Sequence, residues 1–194
     1  MFGVVRGGTM KNLNIENANI TGGIQDAGGV AGTVFDNGSV ENCSVTGAVS
    51  GKDYVGGVAG RIGIDNYILE NCYAAGAVYG NDCVGGVAGY IYDSSNLNNC
   101  VALNPGISGS SNAGRVVGYK TKDYREGINS NVVFNSVIVV GGGMYGMAGG
   151  IISAEFVMAD GTLGGLFTAE DGWTVQPGKL PGLGAPVDMP AHIR

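Results

Sequence analysis

The sequence Val55-Gly56-Gly57-Val58-Ala59-Gly60, followed by Glu70-Asn71-Cys72, is one of three copies of a segment that decides the fold. The other copies carry the same landmarks, at Gly29-Val30-Ala31-Gly32 with Asn42-Cys43 and at Gly86-Val87-Ala88-Gly89 with Asn99-Cys100. The cysteines are 29 and 28 residues apart (72 − 43 and 100 − 72), and the glycine pairs are 28 and 29 apart (57 − 29 and 86 − 57). Such a fixed period is typical of a solenoid, in which each repeat is one coil stacked on the next.

Within one copy, three short runs separated by turn residues are typical of strands; in the second copy they cover residues 54–60, 67–71 and 72–78. Alternation in the last run places every second side chain on one face. Because equivalent positions stack copy on copy, neighbouring strands are parallel and bury a shared core. The sequence therefore predicts an all-β chain, a right-handed parallel β-helix of about four to five coils, whose inward residues on the glycine-rich strand are Val30, Val58, Val87 and Val116.

The repeat pattern predicts a division of the chain into two parts. Residues 1–140 hold the repeats, including shortened first and last coils. Residues 141–194 lose the period and contain four prolines, so we expect an irregular C-terminal cap that covers the end of the solenoid. Ser153 is placed to cap one short helix through its hydroxyl. Trp173 is the expected anchor of this segment.

Composition and charge exclude several partners. The net charge is −6 and the ten basic residues are scattered, whereas nucleic acid and anionic lipid require clustered Lys and Arg. No apolar run approaches the roughly 18 residues of a membrane span. The chain enters repeat-like sequence at once and shows no signal peptide. We therefore expect an export signal upstream and a cell-surface or extracellular location. We also expect self-association through the N-terminal edge, residues 2–13, because an uncovered strand edge invites pairing.

Three of the four cysteines, Cys43, Cys72 and Cys100, occupy equivalent positions in the repeats. In a solenoid they stack in one column about 4.8 Å apart, with parallel side chains that do not point at each other as a disulfide requires. Zinc is disfavoured, because no Cys-x-x-Cys pair occurs and the single histidine, His192, lies in the tail. We predict buried free thiols in the column, with Cys83, in a turn-like stretch, as the most reactive cysteine.

The glycine-rich segment and the following Glu-Asn-Cys-Tyr-Ala-x-Gly-x-Val pattern resemble the GLUG-motif repeats of bacterial surface proteins, over residues 1–140. Three further runs are similar to the C-terminal regions of such proteins in Bacteroides-type gut bacteria: residues 100–105, residues 114–118, and residues 166–183. The resemblance implies an exported, adhesin-like β-solenoid, and it brings no catalytic residues and no cofactor. Secreted zinc peptidases that carry GLUG repeats need His-Glu-x-x-His, which this sequence lacks.

Two polar columns recur with the repeat. Asp36, Asp65 and Asp93 follow the glycine-rich strand; stacked carboxylates repel, so they either extend into water or hold a divalent cation, which makes them weak calcium candidates. Aspartate also favours turns for local reasons. The other column, formed by asparagines, is predicted to point inward and to bond neighbouring backbone amides as a structural ladder; its members are Asn42, Asn71 and Asn99.

Two classes of function remain open. The first is a non-enzymatic adhesin or stalk whose partner is a host protein or a glycan. The second is a carbohydrate-binding or carbohydrate-processing β-helix, which needs aromatic platforms and, for catalysis, paired carboxylates or a Lys or Arg base. The outward residues Ser44, Tyr73 and Val101 do not form a repeated binding row. We therefore expect no enzymatic activity and no cofactor. Aromatic surface is supplied by Tyr73, Tyr79, Tyr90, Tyr92 and Tyr119.

Overall fold

The computed structural model describes residues 1–63, 67–92, 95–121, 127–142 and 150–194. Within them the chain forms a parallel β-solenoid of about four turns, which confirms the predicted fold class. One strand of every coil joins a five-stranded sheet, and the rest of each coil joins a fifteen-stranded sheet. The right-handed sense of the coil stays a prediction.

The strands follow one another coil by coil. The first two coils contain β1 (Phe2–Arg6), β2 (Thr9–Thr21), β3 (Gln25–Gly28), β4 (Ala31–Phe35), β5 (Ser39–Ser50) and β6 (Asp53–Gly56). The third contains β7 (Ala59–Ile62), β8 (Ile68–Glu70), β9 (Tyr73–Ala74), β10 (Val78–Tyr79) and β11 (Asp82–Gly85). The fourth contains β12 (Ala88–Ile91), β13 (Asn96–Asn98), β14 (Val101–Ala102) and β15 (Gly106–Gly114). The last contains β16 (Val117–Lys120), β17 (Ile128–Asn129), β18 (Val132–Phe134) and β19 (Ile138–Gly142), and β20 (Gly150–Ile152) then pairs with β18.

The repeat period appears directly as strand register. Ala59 pairs with Ala31 on one side and with Ala88 on the other, one repeat away in each direction. The backbone N–H of Val30 donates to the Val58 carbonyl at 2.8 Å, and the Val58 N–H donates to the Val87 carbonyl at 2.9 Å. Hydrogen bonds along the solenoid axis therefore join equivalent residues of successive coils. The predicted inward positions are confirmed, since these four side chains are completely buried: Val30, Val58, Val87 and Val116.

The glycines of the motif are required because backbone crosses close to them. A Cβ on Gly56 would lie 2.0 Å from the Ala59 carbonyl oxygen and 2.7 Å from the Gly89 nitrogen. Gly28 and Gly85 are equally crowded, each by the carbonyl three residues later in the chain. The obstructing atoms are backbone on both sides, so they cannot rotate away as a flexible side chain would.

The C-terminal segment contains the expected helix α1 (Ala154–Asp160), and the Ser153 hydroxyl accepts a hydrogen bond from the Phe156 N–H. A short antiparallel pair, β21 (Lys179–Leu180) and β22 (Val187–Asp188), and a 3-10 turn at Ala191–Ile193 follow. In the described part of the chain, no helix has the length and apolar character needed to cross a membrane.

This segment lies against a side of the solenoid, and its predicted role of covering the end of the solenoid stays a prediction. The Tyr73 hydroxyl donates to the Pro181 carbonyl at 2.6 Å, and the Tyr73 ring contacts Phe167 and Trp173 at centroid distances of 5.6 and 6.0 Å. The row Ser44, Tyr73 and Val101 points outward as predicted, but it is fully buried beneath this cover. The boundary at residue 140 stays a prediction, although parallel pairing continues to Ile152.

The first coil forms one edge of the solenoid. Among the described residues, β1 pairs with β4, β2 with β5 and β3 with β6, so each has a strand on one side only. Phe2 and Val4 are 43% and 55% exposed there. These exposed apolar residues support self-association through the edge, which stays a prediction.

We expect Gly56→Ala to lower the free energy of unfolding by about 2–3 kcal/mol, because the added methyl forces two backbone segments apart. Gly23→Ala is the matched control, since a Cβ there meets no atom within 4 Å. Urea denaturation followed by circular dichroism measures both variants. Equal stability of the two would show that the motif glycines are not selected by coil-to-coil approach.

Candidate functional site: the outer face of the five-stranded sheet

The outer face of the five-stranded sheet carries a row of large side chains. Strand pairing aligns Thr33 with Arg61, Arg61 with Tyr90, and Tyr90 with Tyr119. Each follows the last glycine of its repeat, and the next residue along each strand points into the core. A second outward row lies two residues further on. We call this surface the tyrosine face and define it by Thr33, Phe35, Arg61, Tyr90, Tyr92 and Tyr119.

Tyr90 lies at the centre of an aromatic cluster on the tyrosine face. Its ring is stacked on Tyr119 at a centroid distance of 5.5 Å, and it meets Tyr54 and Tyr92 edge-on, each at 5.0 Å. Edge-to-face and offset pairs of this kind are the favoured aromatic geometries. Burial, and then the neighbouring Tyr92 hydroxyl, raise the pKa of Tyr90 to about 12. The Tyr90 hydroxyl is therefore protonated at neutral pH and able to donate a hydrogen bond.

Two ion pairs border these rings. Arg61 Nη2 lies 2.8 Å from Asp26 Oδ2, with side chains that are 33% and 18% exposed, and the Arg61 guanidinium lies 5.7 Å from the Tyr54 ring centroid. Arg6 pairs with Asp36 in a more exposed position and covers the Phe35 ring at 4.9 Å. Exposed pairs contribute little to stability. Here each pair holds one positive and one negative group beside the aromatic rings, so the two charges of each pair cancel.

A groove of about 550 Å³ lies among these groups. Gly63 forms its floor between Phe35 and Tyr92, because the Gly63 N–H bonds to the Val34 carbonyl and the Tyr92 N–H bonds to the Ile62 carbonyl. Tyr67 closes the groove from behind; its buried hydroxyl accepts the backbone N–H of Asp36 at 2.6 Å. Glycine, which has no side chain, thus lies between two aromatic residues that belong to the coils on either side of its own.

The sequence predicts only part of this surface. Tyr90, Tyr92 and Tyr119 are predicted as aromatic surface, whereas their association with Arg61 and Phe35 appears only in the structure. A signal was present, because the residue after each Val-Ala-Gly or its equivalent recurs at a spacing of 28 or 29 residues. The groove could not be predicted from the sequence. It depends on which residues of the two adjacent coils lie on either side of Gly63.

Asp36, the one member of the aspartate column among the described residues, forms an ion pair. Asp36 is bound to Arg6, and its backbone N–H is bound to Tyr67. Asp65 and Asp93 lie outside the described residues, so the calcium hypothesis stays a prediction. Lys120, on β16, occupies an inward position aligned with Ile91 and is fully buried. It is therefore not a base on the outer face.

The asparagine column marks a corner of each coil at which the backbone is left-handed. Asn42, Asn71 and Asn99 have φ values of 50°, 51° and 50°, and Asn12 has 58°. Asparagine tolerates this region because its short polar side chain bonds locally. Asn42, Asn71 and Asn99 are half-buried and Asn12 is exposed, and the Asn42 Nδ2 donates to Asn12 Oδ1 at 3.3 Å. The left-handed backbone at these corners is thus one reason for asparagine. The predicted ladder of side-chain hydrogen bonds to backbone amides is a second reason, and it stays a prediction.

The cysteine column is arranged as stacked thiols. Cys43, Cys72 and Cys100 are free and completely buried, and each Sγ–H donates to the carbonyl two residues earlier at 3.1 to 3.2 Å. The Cys43 N–H donates to Cys72 Sγ at 3.3 Å, while the Cys100 N–H donates to Asn131 Oδ1 at 2.8 Å. Burial first, and then the neighbouring thiols, raise the pKa of Cys72 well above its usual value.

Cys83 differs from expectation. Its side chain is only 3% exposed, and burial together with the charge of Asp82 raises the pKa of its thiol to about 12. The turn-like sequence around it is a second left-handed corner, with φ of 54° at Cys83 itself, and this corner turns the side chain out of solvent. The interpretation of Cys83 as an accessible thiol is therefore wrong.

Trp173 and His192 both hold the C-terminal segment on the solenoid. Trp173 is 2% exposed and contacts Phe167 edge-on at 4.9 Å. His192 Nε2 donates to the Leu103 carbonyl at 2.7 Å. The sequence does not predict one further buried polar group: Asn104, whose Nδ2 donates to the Gly76 carbonyl at 2.6 Å and to the Gly86 carbonyl at 3.3 Å. A single asparagine outside the repeated columns gave no signal for this bridge.

Comparison with known proteins addresses the repeat itself. The GLUG motif matches residues 23–50. This GLUG segment covers β3, β4 and β5, from the corner at Asp26 to the cysteine column, which supports the resemblance for one repeat of the solenoid. No curated protein matches the chain.

One solved structure is similar, that of a candidate immunoglobulin A1 protease from Bacteroides ovatus. The TM-score is 0.62 and the identity 24%, over 84% of this chain and 54% of that one. This chain therefore spans about half the length of that structure. A likeness at this identity shows the fold alone.

Substitutions at Asn71 separate the two explanations for the asparagines at the coil corners, which are backbone conformation and side-chain hydrogen bonding. We expect Asn71→Ala to lower the free energy of unfolding by about 1 kcal/mol, because a left-handed conformation is costly for a residue with a Cβ and no local side-chain bond. Asn71→Gly should leave stability nearly unchanged, since glycine adopts this conformation freely. Urea midpoints measure both variants. An equal loss in both would show that side-chain hydrogen bonds, and not backbone conformation, select asparagine.

The native protein should resist thiol reagents at all four cysteines until denaturant is added, because each side chain is buried. Maleimide labelling at pH 8 with and without guanidinium, read by peptide mass spectrometry, measures this. Fast native labelling at any of Cys43, Cys72 or Cys100 would contradict the column register.

Proposed function

We propose that this chain is a non-enzymatic part of an exported bacterial cell-surface protein, serving as an adhesin or as the ligand-presenting part of a stalk. The observation that carries the proposal is the tyrosine face. One side of the solenoid is covered by the chain's own C-terminal segment, whereas the outer face of the five-stranded sheet presents half-buried tyrosines and an arginine. Tyrosine and arginine are the residue types that contribute most to binding surfaces.

The described groups with reactive side chains support binding over catalysis. The thiols are buried and hydrogen-bonded, the His192 ring nitrogen is bound to a carbonyl, and Asp26 and Asp36 are each bound to an arginine. A nucleophile needs an adjacent base and access to substrate. These groups instead serve packing and ion pairing.

A carbohydrate-processing β-helix is the second candidate, because the groove brings the carboxylates of Asp26 and Asp36 to the same aromatic surface. A pair of carboxylates is what a glycosidase requires. The protease activity in the name of the structural neighbour is stated of that protein. The similarity between that protein and this chain is one of fold.

Binding and cleavage are tested together. The chain is incubated with immunoglobulin A1, with fibronectin and collagen, and with a panel of polysaccharides. Binding is read by biolayer interferometry, and cleavage by gel electrophoresis and reducing-end release. We expect binding to at least one of these without cleavage of any. Cleavage that Asp26→Asn or Asp36→Asn abolishes, or the lack of any binding, would contradict the proposal.

A further inference from the structure

We propose that the groove on the tyrosine face binds one sugar ring of an uncharged glycan, held between Phe35 and Tyr92. This inference rests on the proposed function, because it assigns a ligand class to the surface that carries it. Three features of the groove favour this ligand: the spacing of the strands that carry Phe35 and Tyr92, the balanced charges beside these residues, and the paired backbone groups of the strands below.

The spacing of the coils sets the width of the site. Phe35 and Tyr92 occupy equivalent positions two strands apart, with Gly63 between them, so their backbones are separated by about 9.6 Å, which is twice the strand spacing. A Cβ on Gly63 would lie 3.1 Å from the Phe35 Cβ, so a side chain at the middle position would crowd Phe35, and glycine leaves that space to the groove. A pyranose ring would occupy this gap, between the two aromatic side chains. The C–H groups of a sugar face are slightly positive and are attracted to the negative face of an aromatic ring.

The charges beside the groove favour an uncharged ligand. Arg61 is paired with Asp26 and Arg6 with Asp36, so the charged groups that border the groove in the described part of the chain balance to zero. Each pair still offers hydrogen-bonding capacity at fixed positions, since a guanidinium has five N–H donors and a carboxylate has several acceptor sites. Sugar hydroxyls use both kinds of partner. An anionic polymer would instead require unpaired basic residues.

The strands beneath the groove exclude recognition by main-chain pairing. β4, β7 and β12 each have a parallel neighbour on both sides. Their backbone groups are used within the sheet, so a peptide cannot add to them as an extra strand. Recognition at this surface therefore depends on ring faces and on charged side chains, which is the combination that a glycan requires.

The experiment is affinity electrophoresis of the full chain in native gels that contain mannan, galactan, dextran or arabinoxylan. Hyaluronan and heparin serve as anionic comparisons, and a proline-rich peptide is tested in solution by fluorescence anisotropy. We expect at least one of the four neutral polysaccharides to retard the protein, and the two anionic polymers and the peptide to bind more weakly.

Variants at matched tyrosines localise the site. Tyr92→Ala should weaken the dissociation constant by about tenfold, and Tyr92→Phe, which keeps the ring, should stay within about twofold of the unchanged protein. Tyr79→Ala is the control, because Tyr79 is a 51% exposed tyrosine on the other sheet. Circular dichroism establishes that each variant is folded.

The outcomes separate this inference from the proposed function. Retardation by neutral polysaccharide that Tyr92→Ala weakens and Tyr79→Ala preserves supports it. Equal retardation of these two variants, preferred binding of the anionic polymers or the peptide, or no neutral polysaccharide bound, contradicts it. Binding of fibronectin or collagen alone contradicts this inference and leaves the proposed function standing. Cleavage of a bound polysaccharide contradicts the proposed function and leaves the site in place.

Discussion

The backbone hydrogen-bond ladder along the solenoid axis is the interaction on which the rest of the structure depends. Each coil bonds to the next at equivalent residues, as the Val30, Val58 and Val87 ladder shows. This register places equivalent residues of successive coils directly above one another. A structural requirement at one position of the coil therefore recurs at the same position of every coil. The glycine columns follow from close backbone approach, and the buried thiol and valine columns follow from a narrow interior. The asparagine corners follow from the left-handed turns that the coil requires.

The same register divides the surface into sides with different uses. Outward positions on the covered side hold Ser44, Tyr73 and Val101, which pack beneath the C-terminal segment. Outward positions on the five-stranded sheet vary from threonine to arginine to tyrosine while the inward positions between them stay apolar through Ile91. The outward side chains differ from coil to coil while the length of the repeat stays nearly constant. A rigid scaffold can therefore present a binding surface, because these side chains can change without altering the hydrogen-bond ladder.

The period predicted most of the fold. Spacing of the cysteines and glycines specified parallel stacking and the inward valines, since both depend only on equivalent positions lying one coil apart. The prediction for Cys83 is wrong because its neighbours in sequence indicate an exposed turn, whereas the side chain is buried at a left-handed corner of the backbone. The position of the C-terminal segment and the groove at Gly63 depend on contacts between distant residues. A single sequence gives no measure of these contacts.

Amide hydrogen exchange, resolved by residue, tests the ladder most directly. If successive coils bond as described, the amides of Val30, Val58 and Val87 exchange only when the whole solenoid unfolds. The opening free energy calculated from their exchange rates then equals the global free energy of unfolding. The exposed amide of Gly23, where the chain runs between strands, exchanges far faster in the same sample. Protection of the three valines no greater than that of Gly23 would contradict the stacked register from which the fold, the columns and the tyrosine face are argued.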